Sequence, residues 1–125
     1  MALNVGLIGC GNIAPAYITG SSKFPDYIKI VACADMVKAR ADEFAAKHGL
    51  RAMTVTDLLA DPSIDIAVNL TVPAAHAEVS LQIIAAGKHV YSEKPLALNR
   101  EDGKRILEAA RFAGVRAAAC RPSTI

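Results

Sequence analysis

Residues 5–14 read Val-Gly-Leu-Ile-Gly-Cys-Gly-Asn-Ile-Ala, an apolar run that breaks on closely spaced glycines and resumes in an apolar, helix-compatible stretch. No other stretch constrains the fold as strongly. It is either the front of a secretory signal or a β-strand turning sharply into a helix. The signal reading is disfavoured, because no positive n-region precedes it and Asn4, Gly6, Gly9, Gly11 and Asn12 interrupt any hydrophobic region. The turn reading predicts a strand over Leu3–Gly9 and a helix over Asn12–Thr19. Pro15 then falls in the first helical turn, where a missing N–H has no partner to lose.

The same alternation continues along the chain. Tyr27–Ala34 (YIKIVACA) is β-branched and largely apolar on both faces, and predicts a second strand. Val37–His48 has an amphipathic helical period, with Gly49 as its stop. A short strand is expected around Ala52–Val55, then a helical turn over Thr56–Ala60 and a turn at Asp61-Pro62-Ser63. Asp65–Val72 (DIAVNLTV), Lys88–Ser92 and Val115–Cys120 are further expected strands. Helices over Ala74–Ala86 and Arg100–Ala113 end at Gly87 and Gly114. Strands apolar on both faces, each followed by a helix, imply a parallel sheet covered on both sides. The fold class predicted is α/β: a doubly wound Rossmann-type domain with a mostly parallel six-stranded sheet over residues 1–120.

Composition narrows the function classes. The chain is 53% hydrophobic, 21% charged and only 5% aromatic, with no Trp, so a core of Ala, Val, Ile and Leu is expected. Net charge is +2 and the 14 basic residues are scattered, leaving no footprint for nucleic acid or an anionic membrane. No apolar run reaches the roughly 18 residues that span a bilayer. Cys10, Cys33 and Cys120 form no C-x-x-C pair and no disulfide framework, which favours a reducing, cytoplasmic setting. His48 and His89 read as structural, and no spacing predicts a metal site.

In a doubly wound sheet, ligands bind beyond the C-terminal strand ends. Gly9-Cys10-Gly11-Asn12-Ile13-Ala14 fits G-x-G-x-x-[GA] between a strand and a helix. Gly9 would make the tight turn, Gly11 would admit a pyrophosphate to the backbone, and Ala14 would let the helix pack closely on the strand. The amides of Asn12 and Ile13, at the positive end of the helix, would face the anion. Asp35 follows the second strand roughly 20 residues on, where the fingerprint expects an acid for the ribose hydroxyls. Its alternative use is to cap the helix beginning near Val37. A 2′-phosphate beside that carboxylate would cost on the order of 1–4 kcal/mol, which Lys38 and Arg40 would partly offset. NAD is therefore the expected cofactor, with NADP as the alternative.

Two later stretches narrow the reading. One is Thr71-Val72-Pro73-Ala74-Ala75-His76 and the other is Ala86-Gly87-Lys88-His89-Val90-Tyr91-Ser92-Glu93-Lys94-Pro95-Leu96-Ala97. With the glycine loop, they make the chain resemble the N-terminal domain of the Gfo/Idh/MocA family of NAD(P)-dependent sugar and polyol oxidoreductases. The resemblance implies that Lys94 lies beside the nicotinamide and the substrate in a catalytic or substrate-orienting role. It further implies cofactor contacts by Thr71, Pro73, His76 and Glu93, and a cis Lys94–Pro95 bond. Val72 stands where the family often has Pro.

The reaction so implied is hydride transfer between a nicotinamide and a sugar or polyol hydroxyl or carbonyl. In the family, the general acid/base and the substrate pocket come largely from a second domain. Residues 121–125 resemble the start of the crossing toward such a domain, with Ser123 where Asp is common. The expectation is a chain that binds cofactor without turnover, takes its small-molecule substrate only with a second domain, and self-associates through an uncovered apolar face. A stand-alone NAD(H)-sensing domain is the competing reading. It accounts for the glycine loop but leaves Glu93-Lys94-Pro95 without a purpose. A methyltransferase leaves the same stretch unexplained.

Overall fold

The computed structural model describes residues 3–11, 14–21, 23, 26–71, 75–92 and 100–119. Six strands alternate with five helices: β1 (Leu3–Ile8), α1 (Ala14–Ser21), β2 (Ile28–Ala34), α2 (Lys38–His48), β3 (Arg51–Ala52), α3 (Val55–Ala60), β4 (Ile66–Asn69), α4 (His76–Ala85), β5 (His89–Ser92), α5 (Arg100–Ala113) and β6 (Ala117–Ala119). The strands form one sheet in the order β3-β2-β1-β4-β5-β6, with every pairing parallel. This is the doubly wound order, in which the direction of winding reverses between β1 and β4. Because β3 is only two residues long, five strands carry most of the sheet.

Two apolar layers hold the helices to the two faces. On one, Ile8, Ala32, Ala67 and Val90 of the sheet meet Leu58 of α3, Ile83 and Ile84 of α4, and Ile106 and Ala110 of α5. On the other, Val5, Leu7, Cys33 and Val68 meet Ala14 of α1 and Phe44 and Ala45 of α2. The low aromatic content is thus matched by close approach of small side chains. Gly6 shows the geometry: a Cβ there would lie 3.0 Å from the Leu58 side chain, so α3 rests directly on the strand.

Most strands prove shorter than their apolar runs, because neighbouring elements take the terminal amides. The Val115 amide donates to Ala110 O and the Lys88 amide to Ile83 O, so each closes the helix before it instead of extending the sheet. Beyond Asn69, the amide of Thr71 donates to the Asn69 side chain, which ends β4. Val55, expected in a strand, opens α3, because Thr54 Oγ1 accepts from the Asp57 amide (3.0 Å) and caps that helix. The helix expected over Asn12–Thr19 is described over Ala14–Ser21, with Asn12 and Ile13 outside the described residues, and the one expected from Ala74 is described from His76. Gly49, Gly87 and Gly114 follow α2, α4 and α5 with φ of 70°, 78° and 74°, the left-handed stops their positions imply.

Candidate functional site

In a doubly wound sheet, the crevice for a ligand lies at the C-terminal strand ends where the winding reverses, here between β1 and β4, and the glycine loop follows β1 there. Gly9 has φ of +109°, and a Cβ on it would sit 2.7 Å from Leu70 O. Its amide donates to Ala34 O (2.7 Å), while the Leu70 amide donates to Ile8 O (2.8 Å). The fold itself therefore demands glycine at position 9. Gly11 is different: its φ is not positive, and a Cβ would meet nothing within 4 Å. Among the described residues, no contact calls for glycine there. The space above it is what an approaching phosphate would need.

Ala14 is fully buried at the start of α1, with its amide on Gly11 O (3.2 Å). The small residue lets the helix close onto the sheet, as the fingerprint anticipates. No acidic side chain occupies the first turn of α1, so nothing on the helix competes for its positive end. Tyr17 of α1 packs edge-on against Tyr91 of β5, with ring centroids 6.3 Å apart, and this ties the helix across the crevice.

Asp35 bonds the segments on both sides of it, the glycine loop and the turn before α2. Its Oδ2 accepts from the Cys10 amide (2.8 Å), which clamps the glycine loop to the end of β2. Its Oδ1 accepts from the Val37 amide (2.8 Å). Val37 is itself the N-cap residue of α2 and brings no side-chain cap, so Asp35 shapes the turn before the helix and does not cap it directly. Each carboxylate oxygen keeps a further acceptor position for a hydroxyl. Asp35 lines a cavity of about 360 Å³ with Met36, Lys38, Asp42, Met53 and Asp57 among its neighbours. Three carboxylates and one lysine make this cavity anionic. Arg40, expected to soften the charge, is exposed and does not line it.

Cys10 sits inside the loop, and its thiol lies 3.6 Å from Ala34 O. Its contact with the Cys33 thiol, together with burial, pushes its pKa far above the ordinary thiol range. Its sulfur packs against the sheet beside Cys33, and the raised pKa disfavours the thiolate that a nucleophile would need. His89 Nδ1 accepts from the Arg116 amide (3.0 Å), and the His48 ring leans on Phe44 at 4.4 Å between centroids. Both match their structural reading. Among the described residues, no group of three or more His, Cys, Asp or Glu could hold a metal, and no helix is long and apolar enough to cross a membrane.

Of the sequence-predicted site residues, the structure brings together Gly9, Gly11, Asp35 and Thr71 at the C-terminal edge. His76 opens α4, after the segment that leaves β4. The His76 side chain, and the whole of Asn12, Ile13, Pro73, Glu93 and Lys94, lie outside the described residues. Sequence reasoning missed a buried polar group at the same edge: Asn69, Ser80 and Ser92, each fully buried. The available signal was a lone Asn in the middle of the apolar run Ile66–Val72.

Comparison with known proteins agrees with this geometry. Residues 3–119 match the model of an oxidoreductase family with an NAD-binding Rossmann fold, Gfo/Idh/MocA. A 1,5-anhydro-D-fructose reductase of Ensifer adhaerens is 35% identical over 112 residues, 88% of this chain and 33% of that protein. An inositol 2-dehydrogenase of Gluconacetobacter diazotrophicus is 38% identical over 113 residues, 87% of this chain and 33% of the other. Among solved structures, the WlbA dehydrogenase of Bordetella pertussis, in complex with NADH and UDP-GlcNAcA, superposes with a TM-score of 0.90 at 32% identity, covering 95% of this chain and 35% of that one. The chain spans about a third of the length of these relatives.

Proposed function

The chain belongs to the Gfo/Idh/MocA oxidoreductases, and we propose that it is the cofactor-binding part of an enzyme that moves a hydride to or from a sugar or polyol carbon, with NAD preferred over NADP. The observation that carries the reading is Gly11, a glycine that no contact among the described residues calls for and that an approaching phosphate would use. Asp35, at the end of β2, adds an acceptor for ribose hydroxyls beside the glycine loop. The anionic cavity around it, with Asp42 and Asp57, repels a 2′-phosphate.

The cofactor supplies the hydride chemistry at its nicotinamide ring. The chain's residues supply position and charge. The loop amides and the start of α1 would hold the pyrophosphate, and Asp35 would hold the adenosine ribose. In the proposed enzyme Lys94 orients the substrate oxygen and stabilises charge on it, with Glu93, Pro73 and His76 near the cofactor. The proton exchanged with the substrate hydroxyl needs a further acid/base within hydrogen-bond reach, and in this reading it comes from the part of the protein beyond this chain. The isolated chain then binds cofactor without turnover. Sugar and polyol relatives support the substrate class.

Calorimetric titration with NAD⁺, NADH and NADP⁺ tests this. Binding of NAD⁺ or NADH, with NADP⁺ weaker, is the expected result. NADP⁺ preference would overturn the role given to Asp35, and silence toward all three would remove the function. Turnover of a polyol by the isolated chain would show that the acid/base is already present.

A further inference from the structure

A buried chain of hydrogen bonds joins the C-terminal ends of β4 and β5. Asn69 Nδ2 donates to Ser80 Oγ (2.9 Å), and the hydroxyls of Ser80 and Ser92 share a hydrogen bond of 3.2 Å. On its other side, Asn69 Oδ1 accepts from the Thr71 amide (3.2 Å) and from the Thr71 hydroxyl (2.6 Å). Asn69, Ser80 and Ser92 are all at 0% exposure, whereas Thr71 is half-buried at the edge of the crevice.

The directions of these bonds follow from chemistry. A backbone amide can only donate, so the oxygen of Asn69 must face Thr71 and its NH₂ must face Ser80. The Thr71 hydroxyl, 2.6 Å from that same oxygen, commits its one proton to Asn69. Toward any other group Thr71 Oγ1 can only accept. An apolar residue at position 69 would suit the flanking core but would leave the Ser80 hydroxyl and the Thr71 amide without this partner, so Asn69 is there for the polar groups it orders.

A doubly wound sheet binds the two halves of a dinucleotide over its two halves. The glycine loop and Asp35 take the adenosine side, over β1 to β3, which leaves the nicotinamide nucleotide over β4 and β5. We infer that Asn69, held by Ser80 and Ser92, is a positioning residue that fixes the Thr71 hydroxyl as a hydrogen-bond acceptor for the carboxamide NH₂ of the nicotinamide. That amine is an obligate donor and the only N–H on its half of the cofactor. The ribose hydroxyls there also donate, and ADP-ribose, which keeps a ribose but has no amine, separates the two. A hydroxyl locked as acceptor favours the amine over the carboxamide oxygen, whereas a freely rotating hydroxyl would take either. The inference rests on the proposed cofactor function.

The test measures binding of NAD⁺, of 3-acetylpyridine adenine dinucleotide (a methyl in place of the amine) and of ADP-ribose (no ring) to the chain. Thr71→Val should weaken NAD⁺ about tenfold and leave the other two within about twofold, with Thr71→Ser restoring NAD⁺. Ser80→Ala, which removes a partner of Asn69 without touching Thr71, should erode the preference for NAD⁺ in the same direction. Equal losses for all three ligands in both variants would overturn the inference and leave a purely structural network. Equal losses of NAD⁺ and the acetylpyridine analogue, with ADP-ribose spared, would overturn the carboxamide assignment. A wild-type chain that binds ADP-ribose as well as NAD⁺ would instead break the underlying placement of the nicotinamide, and the inference with it.

Discussion

The two ends of the sheet are built from the same strands and treat their polar groups in opposite ways. At the N-terminal end the protein satisfies itself. The Asn4 amide donates to Asp65 Oδ2 (2.9 Å), the Asp65 amide to Asn4 O (2.9 Å) and Asn4 Nδ2 to Ser63 O (2.9 Å). Lys88, at 5% exposure, donates its ammonium to Asp61 O (2.6 Å) and Ile64 O (2.7 Å). At the C-terminal end, no described residue meets a Cβ on Gly11, Asp35 retains acceptor positions and Thr71 is fixed as an acceptor. One end is finished by its own side chains, and the other leaves groups that the proposed cofactor would engage.

Substitutions at the two ends should therefore separate stability from binding. Gly9→Ala is the harshest change, because it forces a Cβ against Leu70 O at a φ of +109°. It should cost about 3 kcal/mol in urea unfolding and abolish cofactor binding as well, since this glycine belongs to both fold and loop. Lys88→Met removes a buried donor from two carbonyls. It should cost about 2 kcal/mol while leaving NAD⁺ affinity within about twofold, a loss confined to the closed end. Gly11→Ala is its mirror image. Unfolding should stay within about 0.5 kcal/mol of wild type, while calorimetry shows NAD⁺ binding at least about tenfold weaker. A stability loss there would mean that the fold, and not a phosphate, requires this glycine.

The smallest effect concerns pH. Hydrogen bonds from the Ser63 side chain and amide, then Arg51, hold the Asp61 carboxyl below the usual carboxylate range. A depressed folded-state pKa means that the contribution is complete above the ordinary value of 3.8 and lost as pH falls through the lower, folded one. Wild type should thus be slightly more stable than Asp61→Asn at neutral pH, with the two curves converging below pH 3.8. NAD⁺ affinity at neutral pH should not distinguish them. A difference in affinity would mean that the ends are coupled.

Much of this architecture was legible in the order of residues. The alternation of apolar runs and helical periods implied the parallel sheet, and Gly49, Gly87 and Gly114 marked helix ends that the structure reproduces. Strand lengths were less legible. Val115 and Lys88 look like strand residues by type, yet their amides close helices. Val55 looks the same and enters α3 because Thr54 caps it. In each case a local competitor captured a hydrogen bond that side-chain type alone assigned to the sheet.

Features of single residues and their near neighbours were settled by the sequence: which stretches alternate, where a helix must stop, and where a strand must turn on glycine beside an acid. These depend on backbone conformation and on period, which act over a few positions. Only the tertiary structure separated Gly9 from Gly11, one excluded from bearing a side chain by Leu70 and the other by nothing among the described residues. It alone showed Asp35 holding the Cys10 amide across 25 positions, and Asn69, Ser80 and Ser92 meeting in one buried chain. Such contacts arise where folding brings distant segments together, and no local pattern announces them.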